Sequence, residues 1–514
     1  MREYDVNNLN EQEFEAMLQD CVVELPPADI AYEVTPWRKA INRILTGFAL
    51  GAVTLNFVGL NYLLPAIGMF LLLLGFRTLR NENRGFRMCW ILMLIRTSYN
   101  IPTLILNTTI YQSAFYDSNL AAVLTVANLA IQMLQYICFW QALRSVKEKA
   151  GLEPHAGGAV ALILWNAFIC TWGLLQIPGD LIVGIILLIA YACIVRSLIK
   201  LSKELDEAGY CISVTPVKLT DRAIVMVLVF TLLIGCGCGY LFFHRYPMNW
   251  QAASQSDDAE IQQIKEHLIS LGFPAHILED LTEEDILSCK DAVRVVVDTH
   301  DHPVNKGRRA QEIRADGVLH IYTVYDQKEL RITGVGVELA GQREQWKIFH
   351  HFQWVIDPGF YGTEVIQLWP AYNNNEKGWM SGGEVTGQVL YNDGDQVYTS
   401  TYFSLGNETY TSNSIFWGEQ TSTDIFAEFS MPRNGENHRG YVSYTIQEMQ
   451  DGWIVDAWIN YTHQMTWLQY PAITAKQKHM TSGVGDTNVF NTIQDALQFY
   501  PTEEEVRLLN SSDE

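Results

Sequence analysis

Seven apolar stretches, at roughly residues 44–60, 62–79, 88–105, 120–141, 158–176, 181–199 and 223–243, fill the first half of this chain. Each is close to the ~20 residues an α-helix needs to cross the hydrocarbon core of a bilayer. The sequence therefore predicts a polytopic α-helical membrane domain of about seven spans. Only Asn61-Tyr62 separates the first two stretches, which read as a tight helical hairpin with its start between Trp37 and Ile44.

Charge is segregated along the chain. Residues 1–36 carry a balance of −8, residues 37–243 one of +7, and residues 244–514 one of −21. Nucleic-acid binding needs clustered Lys and Arg, so the acidic tail argues against that partner. Arg38, Lys39 and Arg43 precede the first stretch; Arg77 lies at the end of the second, and Arg80, Arg84 and Arg87 follow it. Arg144, Lys147 and Lys149 follow the fourth, and Lys200, Lys203, Lys218 and Arg222 lie between the last two. The alternate loops, 107–119 and 176–180, hold no Lys or Arg. All the basic clusters thus fall on one side, which the positive-inside rule makes cytoplasmic. The expected topology is multi-pass in a plasma membrane, with the N-terminus cytoplasmic and residues 244–514 extracytoplasmic.

The domain layout that follows is an acidic cytoplasmic segment (1–36), a seven-span domain (37–243) and an extracytoplasmic helical linker (244–291). A β-sandwich-like domain (292–487) and C-terminal helices with a tail (488–514) complete it. The acidic, polar N-terminus is unlike a cleavable signal peptide, so the first span is expected to direct insertion. Cys289 is the one cysteine of nine beyond residue 243, which excludes an internal disulfide there and suits a bacterial envelope. Four Asn-x-Ser/Thr sequons, at Asn107, Asn407, Asn460 and Asn510, fall on the expected outer side.

Within the spans, Arg96 is the formally charged residue nearest mid-membrane, and no Asp or Glu lies inside any span. An intramembrane charge costs about 2.5–3.5 kcal/mol on insertion scales and marks a functional candidate by default. The alternative is that Arg96 packs against Asn128, Gln132 or Gln135. Pro102 is expected to kink its helix, with Ser98 and Asn100 satisfying freed backbone groups. Lack of an intramembrane carboxylate disfavours a proton-driven carrier, and there is no Walker motif for an ATP-driven one. Gly235 and Gly239, around Cys236 and Cys238, read as a small-xxx-small helix contact rather than a metal motif. Phe14, Met17 and Leu18 give the N-terminal segment an amphipathic helical stripe, a possible contact for a cytoplasmic partner.

The tail changes period. Ile261, Ile264, Leu268 and Leu271 form a helical stripe, and Thr282-x-x-Asp285 reads as a capping box. Alternating runs follow: Arg331–Leu339, then Gln345–Ile356, which places Trp346, Ile348, His350, Phe352, Trp354 and Ile356 on one face. Asp393-Gly394 and Asp451-Gly452 each predict a hairpin, joining Gln388–Tyr391 to Gln396–Phe403 and Tyr441–Met449 to Trp453–Thr462. Repeated hairpins predict a mainly antiparallel, sandwich-like β domain. Ile493–Phe499 and Glu503–Leu509 read as two closing helices.

Two sets of residues carry candidate chemistry. Trp369, Tyr372, Trp379 and Trp417 lie in Asn/Gly/Ser-rich stretches, where exposed rings would suit stacking on sugars or a protein ligand. Asp298-Thr299-His300-Asp301-His302 resembles the Asp-x-His-x-His that follows the first strand of amidohydrolase-type metal enzymes. The resemblance implies that His300 and His302, with Asp298, hold a divalent ion that activates water. It covers these few residues, and the hairpins downstream depart from the (β/α)8 barrel of that family. His350-His351 point to opposite faces of one strand and make a poor chelate.

No cofactor is required by the leading reading, with a divalent metal as the alternative. That reading is a membrane protein presenting an extracellular β-rich domain for ligand binding or sensing in the envelope. Its partners would be the lipid bilayer, an extracellular glycan or protein, and a cytoplasmic contact. A permease with a substrate-capturing outer domain and a surface metal-dependent hydrolase are the other two readings.

Overall fold

A computed structural model of the protein describes residues 37–52, 60–175, 181–210, 212, 219–254, 258–313, 319–341, 344–369, 379–414, 418–449, 454–482 and 487–500. The N-terminal amphipathic stripe, Tyr372, Trp417, the Asp451-Gly452 turn and the helix over Glu503–Leu509 lie outside those residues. The chain divides into two compact units, residues 1–106 with 114–236 and residues 107–113 with 237–514.

The first half is helical: α1 (Trp37–Ala52), α2 (Leu60–Leu79), α3 (Arg84–Leu106), a short α4 (Gln112–Tyr116), α5 (Asn119–Lys149), α6 (Gly157–Leu174), α7 (Leu181–Glu207) and α8 (Asp221–Phe242). Among the described residues five helices are long and apolar enough to cross a membrane, and Gly157–Gly173 is a shorter apolar one. The first helix begins at Trp37, and Asn61 and Tyr62 lie inside α2. The expected turn at Asn61-Tyr62 is therefore displaced. The dipeptide follows Gly59 by one residue and falls in the first turn of α2, and Pro65 is accommodated in the same helix.

In this unit α1 packs on α2 and α7, α5 on α3 and α6, and α6 on α7. Phe48, Phe76, Phe86 and Phe139 interlock at its centre with ring centroids 5.4–6.3 Å apart. The opposite faces turn large apolar side chains outward: Val123, Leu164, Ile186, Phe230 and Leu233 are each more than half exposed. At one end, Arg43 and Arg77 both donate to the Asp221 carboxylate, at 2.7 and 2.9 Å. A Cβ at Gly235 would collide with the Ile105 side chain, and one at Gly239 with Thr108. Both glycines therefore serve close packing.

In the second unit, β1 (Gln251–Ala252) precedes three short helices, α9 (Ala259–Ser270), α10 (Ala275–Leu278) and α11 (Glu283–Leu287). Next come β2 (Ala292–His302), β3 (Arg308–Ile313), β4 (Leu319–Val324), β5 (Leu330–Leu339), β6 (Gln345–Trp354) and β7 (Glu364–Trp369). These are followed by β8 (Trp379–Asp393), β9 (Gln396–Ser400), β10 (Ser404–Ser414), β11 (Gly418–Phe429), β12 (Glu436–Glu448) and β13 (Val455–Gln464). Helix α12 (Ala475–Ser482) and β14 (Phe490–Phe499) close the unit.

Among the described residues the strands form a seven-stranded sheet, β1-β9-β8-β12-β6-β5-β2, and a five-stranded sheet, β10-β11-β7-β13-β14. β3 and β4 make a separate ribbon. All pairings are antiparallel.

Period two decides what each face does. Ile332, Trp346, Ile348, Phe352, Val442 and Tyr444 from the larger sheet meet Ile366, Leu368, Ile425, Ile459 and Tyr461 from the smaller one in a single core. The alternate residues of the larger sheet, Val335, Val337, Phe349 and Tyr441, pack against Ile261, Ile264, Leu268 and Ile286 of the short helices. That sheet is consequently covered on both faces. Ile356, expected to continue the Trp346–Trp354 face, lies beyond the end of β6 and is exposed.

One expected hairpin forms and another is corrected. The Asp393-Gly394 hairpin forms between β8 and β9, with Gly394 at a φ of 60° that suits glycine. β12 and β13 do not pair with each other; β12 lies between β6 and β8, and β13 between β7 and β14. Residues 493–499, expected as a helix, are part of β14, which pairs with β13 over ten residues. Leu497 and Phe499 there fill the space above Gly334 and Gly336 of β5, where an added Cβ would lie 2.7 and 3.2 Å from them. Burial against the partner sheet outweighs a helical spacing of apolar residues.

Candidate metal centre

Asp298, His300 and His302 occupy alternate positions on β2, so all three side chains project from one face of the strand. Val296, on the same face, packs against the inter-sheet core, so that face looks toward the smaller sheet. β2 is one edge strand of the larger sheet and β14 one edge strand of the smaller one. Asp495 on β14 shares its inward face with Leu497. It meets both imidazoles: His300 Nδ1 lies 3.1 Å from Asp495 Oδ1, and His302 Nε2 lies 2.9 Å from Asp495 Oδ2.

The donor atoms of these three residues all lie within 4.8 Å of one another. Asp298 stands apart from that triad, with Oδ1 3.6 Å from His300 Nε2. The fold thus places it beside the outer nitrogen of His300 and assigns the carboxylate facing both rings to Asp495. Burial alone would raise the Asp495 carboxyl, but the His302 imidazole and the Ala496 amide outweigh it and hold it low. Asp301 faces the other way and forms a two-pronged pair with Arg331 on β5, at 2.7 and 3.1 Å.

The site is graded in exposure. The Asp495 and His302 side chains are 12% and 20% accessible, and His300 is 52% accessible. One side of the triad therefore opens to solvent. Behind it, His350 on β6 is buried, stacked on Tyr444 at 6.3 Å, with no hydrogen-bond partner for either ring nitrogen among the described residues. Burial pushes its pKa down to about 4. His351, on the opposite face, contacts Asp280 at 3.0 Å.

The aromatic candidates separate. Trp379 is fully buried in the inter-sheet core, so it cannot act as an exposed stacking platform. Its place at the start of β8 turns it inward. Trp369 lies at the end of β7 on the outer face of the smaller sheet, half-buried and 6.2 Å from Trp458. Trp458 was not legible as a neighbour because it comes from β13, nearly ninety residues away.

In the helical unit, Arg96 is enclosed as the amide-rich face of α5 suggests. Its Nε, Nη2 and Nη1 donate to Asn128, Gln132 and Gln135, at 3.3, 3.1 and 3.0 Å. Asn100 donates back to the Arg96 carbonyl at 2.9 Å, and α3 continues through Pro102 to Leu106.

No protein-family model matches the chain, and no curated protein matches it. The chain is similar to a solved structure described as "AvmM Catalyzes Macrocyclization in Alchivemycin A Biosynthesis", at 10% identity over 40% of this chain and 89% of that one, with a TM-score of 0.15. At that score the likeness bears on neither fold nor activity.

Proposed function

We propose that this is a multi-pass plasma-membrane protein, of about seven spans, that presents its β-sandwich on the extracytoplasmic side for ligand recognition or sensing in a bacterial envelope. The observation that carries the reading is the sidedness of charge: every basic loop cluster falls on one side of the apolar stretches. The outward apolar side chains of α5, α6, α7 and α8 support it, because lipid is the solvent such faces suit. The convergence of Arg43, Arg77 and Asp221 at one helical end supports it too, as the sequence assigns those three residues to one side.

The sandwich has a large, well-filled core and its acidic surface excludes nucleic acid, leaving glycans, peptides or cations as ligand classes. The permease alternative would be tested at Arg96. Its three hydrogen bonds to amide oxygens instead give that residue a packing role.

The test begins with topology. In a cysteine-free chain, Asn407→Cys and Glu153→Cys each place one thiol at an exposed position. An impermeant maleimide added to intact cells should label Asn407→Cys and reach Glu153→Cys only after permeabilisation; the reverse pattern would overturn the reading. A thermal-shift screen of the purified chain against envelope glycans and peptides then tests recognition. Ligand at a hundredfold excess over Kd should stabilise the folded state by about 2.7 kcal/mol.

A further inference from the structure

We infer that His300, His302 and Asp495 bind one divalent cation of the zinc class, clipping the edge strands of the two sheets together. This goes beyond ligand recognition and does not depend on which side of a membrane the sandwich occupies.

Donor chemistry sets the class of ion. Two imidazoles and a carboxylate suit zinc and its neighbours, whereas calcium and magnesium demand shells made almost wholly of oxygen. Spacing agrees. Tetrahedral zinc with bonds of about 2.0–2.1 Å holds its donor atoms roughly 3.3 Å apart. Asp495 stands 3.1 and 2.9 Å from the two ring nitrogens through separate oxygens, and all the donor atoms lie within 4.8 Å of one another, so side-chain rotations that draw the two imidazoles together would form the site. His300 offers Nδ1 to the site while Nε2 faces Asp298. A carboxylate on the outer nitrogen is the usual means of fixing a metal-bound imidazole, and assigns Asp298 a positioning role.

Placement gives the ion its consequence. Among the described residues β2 and β14 each lack a strand partner on one side, and they belong to different sheets. A cation held by both would close the sandwich at that edge. Three protein ligands also leave a fourth position, toward the exposed side of His300, for water or a donor group from a bound ligand.

The experiment uses the full chain in detergent micelles, loaded with zinc chloride, dialysed against metal-free buffer and analysed for bound metal. One zinc per chain is expected, along with a tetrahedral absorption spectrum when cobalt(II) replaces it. His302→Ala and Asp495→Asn should each abolish retention. Asp298→Asn should weaken binding by about tenfold or more, and Asp301→Asn, on the opposite face, should leave it unchanged. No retained metal in the unaltered protein, or retention unaffected by both ligand substitutions, overturns the inference and leaves a hydrogen-bonded triad.

Because Asp495→Asn also disturbs hydrogen bonds, amide exchange of the unaltered protein supplies an independent readout. Zinc should slow exchange in β2 and β14 but not in β10 and β11. Equal exchange with and without zinc counts against the clip.

Discussion

The guanidinium of Arg96 meets three amide oxygens and, among the described residues, no carboxylate. Asn128, Gln132 and Gln135 recur at i, i+4 and i+7, so one face of α5 supplies all three acceptors. Hydrogen bonds to a charged group contribute about 1.5–3 kcal/mol each, and removing the donor leaves amide oxygens unmatched in an apolar setting. Arg96→Leu should therefore destabilise the helical unit by about 2 kcal/mol or more, read as an earlier denaturant-unfolding midpoint in micelles. Unchanged stability with altered solute flux in proteoliposomes would instead place Arg96 in a transport path. Burial also sorts the sequons: Asn107 and Asn460 are buried in the folded chain, while Asn407 is exposed. Only a position of the last kind is open to modification after folding.

The short helices α9 to α11 are fastened to the larger sheet through two carboxylates. Asp280 accepts from Arg439 Nε at 2.8 Å and contacts His351 at 3.0 Å. Asp285 accepts from Thr386 at 2.5 Å, Tyr441 at 2.6 Å and Ser443 at 3.1 Å, with Lys347 at 3.2 Å. Burial alone would raise the Asp285 carboxyl; hydrogen bonds from Thr386 and Tyr441 and the Lys347 ammonium outweigh it and hold it below the usual range. Asp285→Ala strands a buried ammonium, a change that costs about 3–5 kcal/mol. Amide exchange across residues 259–287 should accelerate in that variant while the inter-sheet core stays protected; a uniform response would make the helices part of the same folding unit. This region shows what was legible. The Thr282 cap could be read, since Thr282 Oγ1 accepts from the Asp285 amide, but the reciprocal half of the box is absent: the Thr282 amide donates to Tyr441. Local spacing found the cap, and only the fold could reveal that Asp285 turns to the sheet. The metal candidate divides the same way. The Asp-x-His-x-His resemblance singled out Asp298, His300 and His302, but Asp495 lies almost two hundred residues on, in a segment whose apolar residues also fit a helix. Burial of Trp379 was equally hidden, because a strand's inner face is set by the sheet opposite.

At the scale of the whole molecule, charge and burial act in different pH windows. Residues 244–514 carry a balance of −21, and their self-repulsion eases once carboxylates protonate, near pH 4 for ordinary ones. The buried histidines respond earlier. His350 and His479 are both pushed down to about 4, His350 by burial and His479 by burial with Lys478 beside it. Between an unfolded value of about 6.5 and that folded value the unfolded chain binds more protons, so stability falls as pH falls. Each histidine contributes a slope of up to about 1.4 kcal/mol per pH unit inside that window. Relief of surface repulsion comes too late to offset this, and at physiological salt it is screened beyond about 8 Å. The sandwich should thus lose thermal stability steadily from pH 6.5 to about 4.5, measured with a chelator present so that metal release adds nothing. His350→Leu removes two unpaired buried nitrogens and one titrating group. It should leave stability at pH 7 equal or higher and make the acid slope shallower. A slope identical to that of the unaltered protein would mean that His350 takes up its proton inside the folded core, with Asp495 as the charge that accommodates it.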